Sequence, residues 1–134
     1  MLYAAVMVLI NKNNEVLVVE RSDAVETYSG YWCFPGGGVD EGETAEDCAI
    51  RETYEETKLK VKPSDLTYFY TITKDSDKDI YFFVTEKWRG EVEIDWESSD
   101  YRWVKAGELK ELNFLPTPDI VFELIELWVG MNRM

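Results

Sequence analysis

The stretch FPGGGVDEGETAEDCAIRETYEETKL, residues 34–59, decides the reading of this chain. It carries Glu41, Glu43, Glu46, Glu52, Glu55 and Glu56, with Asp40 and Asp47 among them. Neither Gly nor Pro occurs from Thr44 to Leu59, and Thr44 is followed three residues later by Asp47, as in a capping box. That pattern predicts a helix of about 14 residues. On a helical wheel Glu52, Glu55 and Glu56 share one sector with Ala45, Cys48, Ala49 and Leu59. Small apolar residues on that face imply close approach of another element, so the glutamates are partly enclosed. Carboxylates one turn apart repel one another. Enclosed at this density they either take up protons or hold a hard divalent cation, and oxygen ligands suit Mg2+ or Mn2+.

Composition narrows the chemistry. The chain has 134 residues, 46% of them hydrophobic, and five tryptophans, enough for one core and one domain over residues 1–134. With a net charge of −13 and no histidine, histidine metal sites, serine–histidine triads and a histidine general base are excluded. Carboxylates, Lys, Tyr, Cys or a metal must do the work. Such acidity argues against duplex nucleic acid and anionic membrane as partners, and an anionic small substrate needs bridging cations. Cys33 and Cys48 form no CxxC pair and are too few for a disulfide framework, so both read as reduced thiols of a cytoplasmic protein. The opening MLYAAVMVLINKNNE lacks a basic lead, and its apolar run is too short to span a bilayer.

Residues 3–10 and 15–20, rich in Val and separated by NKNN, read as a hairpin. Residues 21–30 read as a polar loop, 31–34 as a short extended piece, and the glycine run after Pro35 as a tight turn. LTYFYTIT (66–73) and DIYFFVTE (79–86) flank KDSDK as a second hairpin, followed by EVEID and YRWV as shorter strands. Thr117–Val129 reads as a C-terminal amphipathic helix, capped by Thr117 with Pro118 at its first position and Ile120, Val121, Leu124, Leu127 and Trp128 on its apolar face. Mixed strands with two main helices indicate an α/β or α+β sandwich.

The segment also fits a longer pattern. Gly37 is followed after five residues by Glu43, after seven more by Arg51-Glu52, and then by Glu55-Glu56 and Leu59. This resembles the Nudix box, over residues 37–59. Thr53 stands where that family prefers an aliphatic residue, and Lys58 where it prefers the glycine that ends the helix. GYWCFPGGG before the box and YRWVKAGEL after the sheet resemble the flanking strands of the family, so the likeness covers most of the chain.

The resemblance implies a mixed β-sheet held between helices in an α/β/α sandwich. It also implies Mg2+-dependent (or Mn2+-dependent) hydrolysis of a nucleoside diphosphate linked to a further group. By that resemblance Glu52, Glu55 and Glu56 are the catalytic and metal-binding positions, joined by the carbonyl of Gly36. Glu97 is the further carboxylate from outside the box, with Asp95 and Asp100 as rivals. Glu43 and Arg51 match a supporting pair that holds loop to helix. Arg21, Trp32, Phe34 and Gly37 are the candidate substrate contacts, with Tyr68 and Tyr81 as other aromatics that could stack on a base.

The region KDSDK lacks the proline or tyrosine of the ADP-ribose and diadenosine polyphosphate branches, and Glu26 stands where the coenzyme A branch has an arginine. What remains resembles the nucleoside-triphosphate pyrophosphatases, including those that remove oxidised nucleotides. The alternatives are ADP-ribose, diadenosine polyphosphate or nucleotide-sugar cleavage, or a non-catalytic nucleotide-binding regulator. A small nucleotide is the implied partner, neither nucleic acid nor membrane is one, and a homodimer is admitted.

Overall fold

Strand β1 (Leu2–Leu9) is apolar on both of its faces, and that places it at the centre of the molecule. Ala5, Met7 and Leu9 point into one core, Val8 into another, and all four are fully buried. In the computed structural model residues 2–132 are described, without the side chains of Leu2 and Asn132; Met1, Arg133 and Met134 of the expected domain lie outside them.

The remaining elements are β2 (Glu15–Arg21), β3 (Trp32–Cys33), β4 (Gly36–Gly38), α1 (Ala45–Thr57), β5 (Leu66–Lys74), β6 (Lys78–Thr85), β7 (Ser98–Lys105) and α2 (Asp119–Asn132). They build a four-stranded sheet ordered β4-β1-β6-β5 and a three-stranded sheet ordered β3-β2-β7. Pairing of β1 with β6 is parallel and the other pairings between these strands are antiparallel, so the fold is mixed as expected. Helix α1 covers one face through Ala45, Cys48 and Ala49, against Met7, Leu17 and Phe83. Helix α2 covers the other through Val121, Phe122 and Ile125, against Val8, Val18 and Phe82.

Several elements differ from the sequence reading. Strands β1 and β2 do not form a hairpin: they enter different sheets and keep one bridge, Ile10 to Val16, because β1 needs neighbours on both edges of its doubly buried ribbon. The glycine run is a strand, with Gly36, Gly37 and Gly38 registered against Val6, Ala5 and Ala4. The EVEID segment is irregular, and only the later strand pairs with β2. The apolar face of α2 is turned by about one residue, burying Phe122 and Ile125 and leaving Ile120 and Leu127 exposed. Thr117 does not cap this helix; its hydroxyl donates to the Leu115 carbonyl at 2.8 Å. The β5–β6 hairpin and α1 follow the sequence reading closely.

Candidate active site

Helix α1 begins where its cap dictates, with the Thr44 hydroxyl accepting from the Asp47 N–H at 3.1 Å. It ends at Lys58, whose φ of 66° is left-handed and whose N–H donates to the Tyr54 carbonyl at 2.8 Å. Glycine's family position is thus filled by a lysine that adopts the same cap conformation. Thr53, the other departure, is fully buried, and its hydroxyl oxygen has no hydrogen-bond partner.

Strand β4 lies so close to its neighbours that side chains cannot fit. A Cβ on Gly36 would meet the Ala5 carbonyl oxygen at 2.5 Å, and one on Gly37 would meet Cδ of Glu52 at the same distance. Glu52 therefore lies directly over the Gly37 backbone. Glu56, only 7% exposed, accepts from the Gly36 N–H at 3.2 Å through Oε2, and the carboxyl of Glu52, one helical turn back, is its acidic neighbour. Burial first, and then Glu52, push the Glu56 carboxyl well above its ordinary range, opposed by the Gly36 N–H. Glu97, at the start of the β7 approach, is also raised, by burial and by Asp95 and Glu52, with Arg21 opposing.

Arg51 organises the other side of the cluster. Its Nε donates to Glu43 Oε2 at 2.8 Å and its Nη2 to Oε1 at 3.0 Å, a bidentate clamp across the loop before α1. Nη1 reaches Glu52 at 2.9 Å and Glu55 at 3.2 Å, and Nη2 also reaches the Gly38 carbonyl at 3.1 Å. The clamp holds the Glu43 carboxyl down at about 2. Beneath it the buried Cys48 thiol faces the carbonyls of Gly37 and Gly38, both at 3.4 Å. Burial pushes Cys48 up to about 12, so it stays a thiol.

Glu52, Glu55, Glu56, Glu97, Gly36, Gly37, Glu43 and Arg51 are thereby brought together. Among the described residues no three acidic, Cys or His side chains already form a ligand shell, since Glu52 and Glu55 are turned to Arg51. Arg21 adjoins the cluster through Cys33 and Glu97, while its Nε donates to the Thr27 carbonyl at 2.9 Å. Trp32 stands apart: its ring is buried, with the Arg102 guanidinium 4.7 Å from its centroid. Tyr68 and Tyr81 pack edge-on at 6.3 Å, Tyr68 also meeting Phe83 of the α1-side core. Phe34 lines an apolar cavity with Val6, Ile72, Phe82 and Phe114.

Sequence reasoning missed Cys33, which joins the two halves of the site. Its thiol lines that cavity and feels both Glu56 and Arg21, and burial raises it to about 12. Only its place just before FPGGG hinted at this.

A NUDIX domain family model matches residues 1–125. The chain belongs to the Nudix family. It is 30% identical over 116 residues to an 8-oxo-dGTP diphosphatase of Buchnera aphidicola subsp. Schizaphis graminum, covering 84% of this chain and 82% of that protein. It is 33% identical over 130 residues to an RNA pyrophosphohydrolase of Sphingopyxis alaskensis, covering 79% and 78%. The fold matches the crystal structure of a MutT protein from Methanosarcina mazei Go1, with a TM-score of 0.73 at 23% identity over 99% of this chain and 96% of that one. This Nudix chain is a hydrolase of the pyrophosphohydrolase type. Among the described residues no helix is long and apolar enough to cross a membrane.

Proposed function

We propose that this chain, acting as one Nudix domain, hydrolyses a small nucleoside triphosphate to its monophosphate and pyrophosphate with Mg2+ or Mn2+ as cofactor. Oxidised or otherwise modified nucleotides are included. The observation that carries this reading is the pair of glutamates seated on the glycine strand, Glu56 buried on the Gly36 N–H at 3.2 Å and Glu52 lying over the Gly37 backbone. A buried carboxyl whose proton affinity is raised by burial and by a neighbouring glutamate, set among further carboxylates and a backbone carbonyl, fits a hard divalent cation in place of the proton. Glu52, Glu55, Glu56, Glu97 and the Gly36 carbonyl would hold it. When bound it would neutralise the phosphate charge and lower the pKa of the attacking water.

The protein's own residues do the rest. Gly37 keeps space for the Glu52 carboxylate, Gly36 lets β4 lie close against β1, and the Arg51–Glu43 clamp ties the loop before α1 to the helix that carries the glutamates. Arg21 supplies positive charge where the phosphates enter, beside Glu97. Phe34 offers an aromatic wall in an apolar cavity next to Cys33, suited to the nucleoside. A net charge of −13 favours a small nucleotide over a nucleic-acid end, even though one relative is an RNA pyrophosphohydrolase.

The test is product analysis on a panel of nucleoside triphosphates, ADP-ribose and diadenosine tetraphosphate, with Mg2+ and with excess EDTA. Mg2+-dependent release of pyrophosphate from a triphosphate supports the reading. Full turnover in EDTA overturns the cation's role, and binding without turnover of any compound favours the regulator alternative.

A further inference from the structure

The cavity beside the carboxylate cluster is apolar over most of its wall, with Val6, Phe34, Ile72, Ile80, Phe82 and Phe114 forming its sides. Among the described residues its one charged lining residue is Lys74, at the end of β5. Strand periodicity explains the placement: Lys74 lies two residues beyond Ile72, so both side chains leave the strand on the cavity face. Ile72 pairs with Ile80 and Lys74 with Lys78 across the β5–β6 hairpin. Of the acids in the same hairpin, Asp75 lies 3.9 Å from Lys78 and Asp79 accepts from the Thr73 hydroxyl at 2.7 Å, while Asp77 meets Lys74 through its backbone N–H, which donates to the Lys74 carbonyl at 3.2 Å. Among the described residues Lys74 has no ion pair.

A lysine ammonium donates and cannot accept. At the mouth of an apolar slot it therefore discriminates between bases by the edge they present. A 6-oxopurine offers an O6 acceptor beside N7, where adenine offers an amino group that only donates. Lys74 is exposed, so water can satisfy its ammonium; facing it, the amino group sets donor against donor and forgoes the hydrogen bond that the carbonyl would accept.

Resting on the nucleotide hydrolase reading above, we propose that Lys74 is a specificity-determining residue, which donates to the base carbonyl and makes the chain favour 6-oxopurine nucleotides over 6-aminopurine nucleotides.

The experiment compares dITP with dATP, which exchange the C6 carbonyl for an amino group. Values of kcat/KM in Mg2+ are measured for the parent, Lys74→Met and Lys74→Arg, and binding of dIMP and dAMP is followed by tryptophan fluorescence. The parent favours the inosine nucleotide by roughly 10- to 100-fold, the scale of one hydrogen bond to a charged group. Lys74→Met brings the ratio within about threefold of unity, and Lys74→Arg, still donor-only, keeps most of it. Two results overturn the proposal: a parent that treats the two bases alike, or a Lys74→Met variant that loses the same factor on both, as a phosphate contact would. Absence of turnover with a Lys74-dependent monophosphate preference would sink the hydrolase reading and leave this assignment standing. Absence of both turnover and preference would sink both.

Discussion

The Glu52 carboxylate occupies the space that a side chain on Gly37 would need: a Cβ there would lie 2.5 Å from Cδ and 2.6 Å from Oε2. At Gly36 the obstacle is backbone, the Ala5 carbonyl at 2.5 Å and the Val6 Cα at 2.9 Å. The two glycines should therefore fail differently. Gly37→Ala displaces the end of a flexible side chain, so kcat falls by roughly 10-fold or more while stability changes by less than about 1 kcal/mol. Gly36→Ala pries β4 from β1 and costs about 1–3 kcal/mol of stability. Paired thermal melts and initial rates check both.

Stability of the metal-free protein should peak near pH 5. The folded Glu56 carboxyl is raised above its ordinary 4.5, so its contribution is fully present below that value and is lost as pH rises through the folded value. Glu43 works in the opposite sense, since its clamp by Arg51 lowers it to about 2; its contribution is present above 4.5 and is lost as pH falls towards 2. Melting temperatures in EDTA across pH 3–9 test the shape. Glu56→Gln should flatten the alkaline limb, and Glu43→Gln the acid limb.

Activity should run against that alkaline limb. Carboxylate ligands must lose their protons to hold a cation, so raised Glu56 and Glu97 make Mg2+ binding tighten as pH rises. The rate at subsaturating Mg2+ should be higher at pH 8–9 than at pH 6, and added Mg2+ should narrow the gap. An optimum near pH 5 contradicts this.

The two departures from the family pattern offer stabilising changes. Thr53→Val removes a buried hydroxyl that lacks a partner and keeps its shape, for a gain of about 1 kcal/mol. Lys58→Gly relieves a left-handed non-glycine cap by a similar amount, set against the loss of the ammonium 5.2 Å from the Tyr54 ring. Denaturant midpoints of the single variants should both rise, with kcat unchanged.

Much of the site was legible because it is local. Thr44, the uninterrupted run after it and the glutamate spacing locate α1 within a residue, and the helical period alone puts Glu52 and Glu56 on one face. The β5–β6 hairpin was readable from two β-rich runs about a polar turn. What failed depends on distant partners. Three glycines have no side-chain period to reveal a strand, and β4 is one only because β1 and Glu52 approach it. Adjacent β1 and β2 read as a hairpin, although the apolar character of both faces of β1 was the sign of a central strand. On α2 the choice between Leu127 and Ile125 as the buried residue is decided by the sheet beneath.

The carboxylate pair is tested most directly by kcat of Glu56→Gln on a nucleoside triphosphate at saturating Mg2+, with Glu46→Gln as control. Glu56 is buried against Gly36 and Glu52, whereas Glu46 is an exposed residue of the same helix. The expected result is a fall of roughly 10²-fold or more for Glu56→Gln with the fold intact, and a change below about threefold for Glu46→Gln. Equal kcat for Glu56→Gln and the parent would contradict it, and the carboxylate cluster would then have no part in the chemistry.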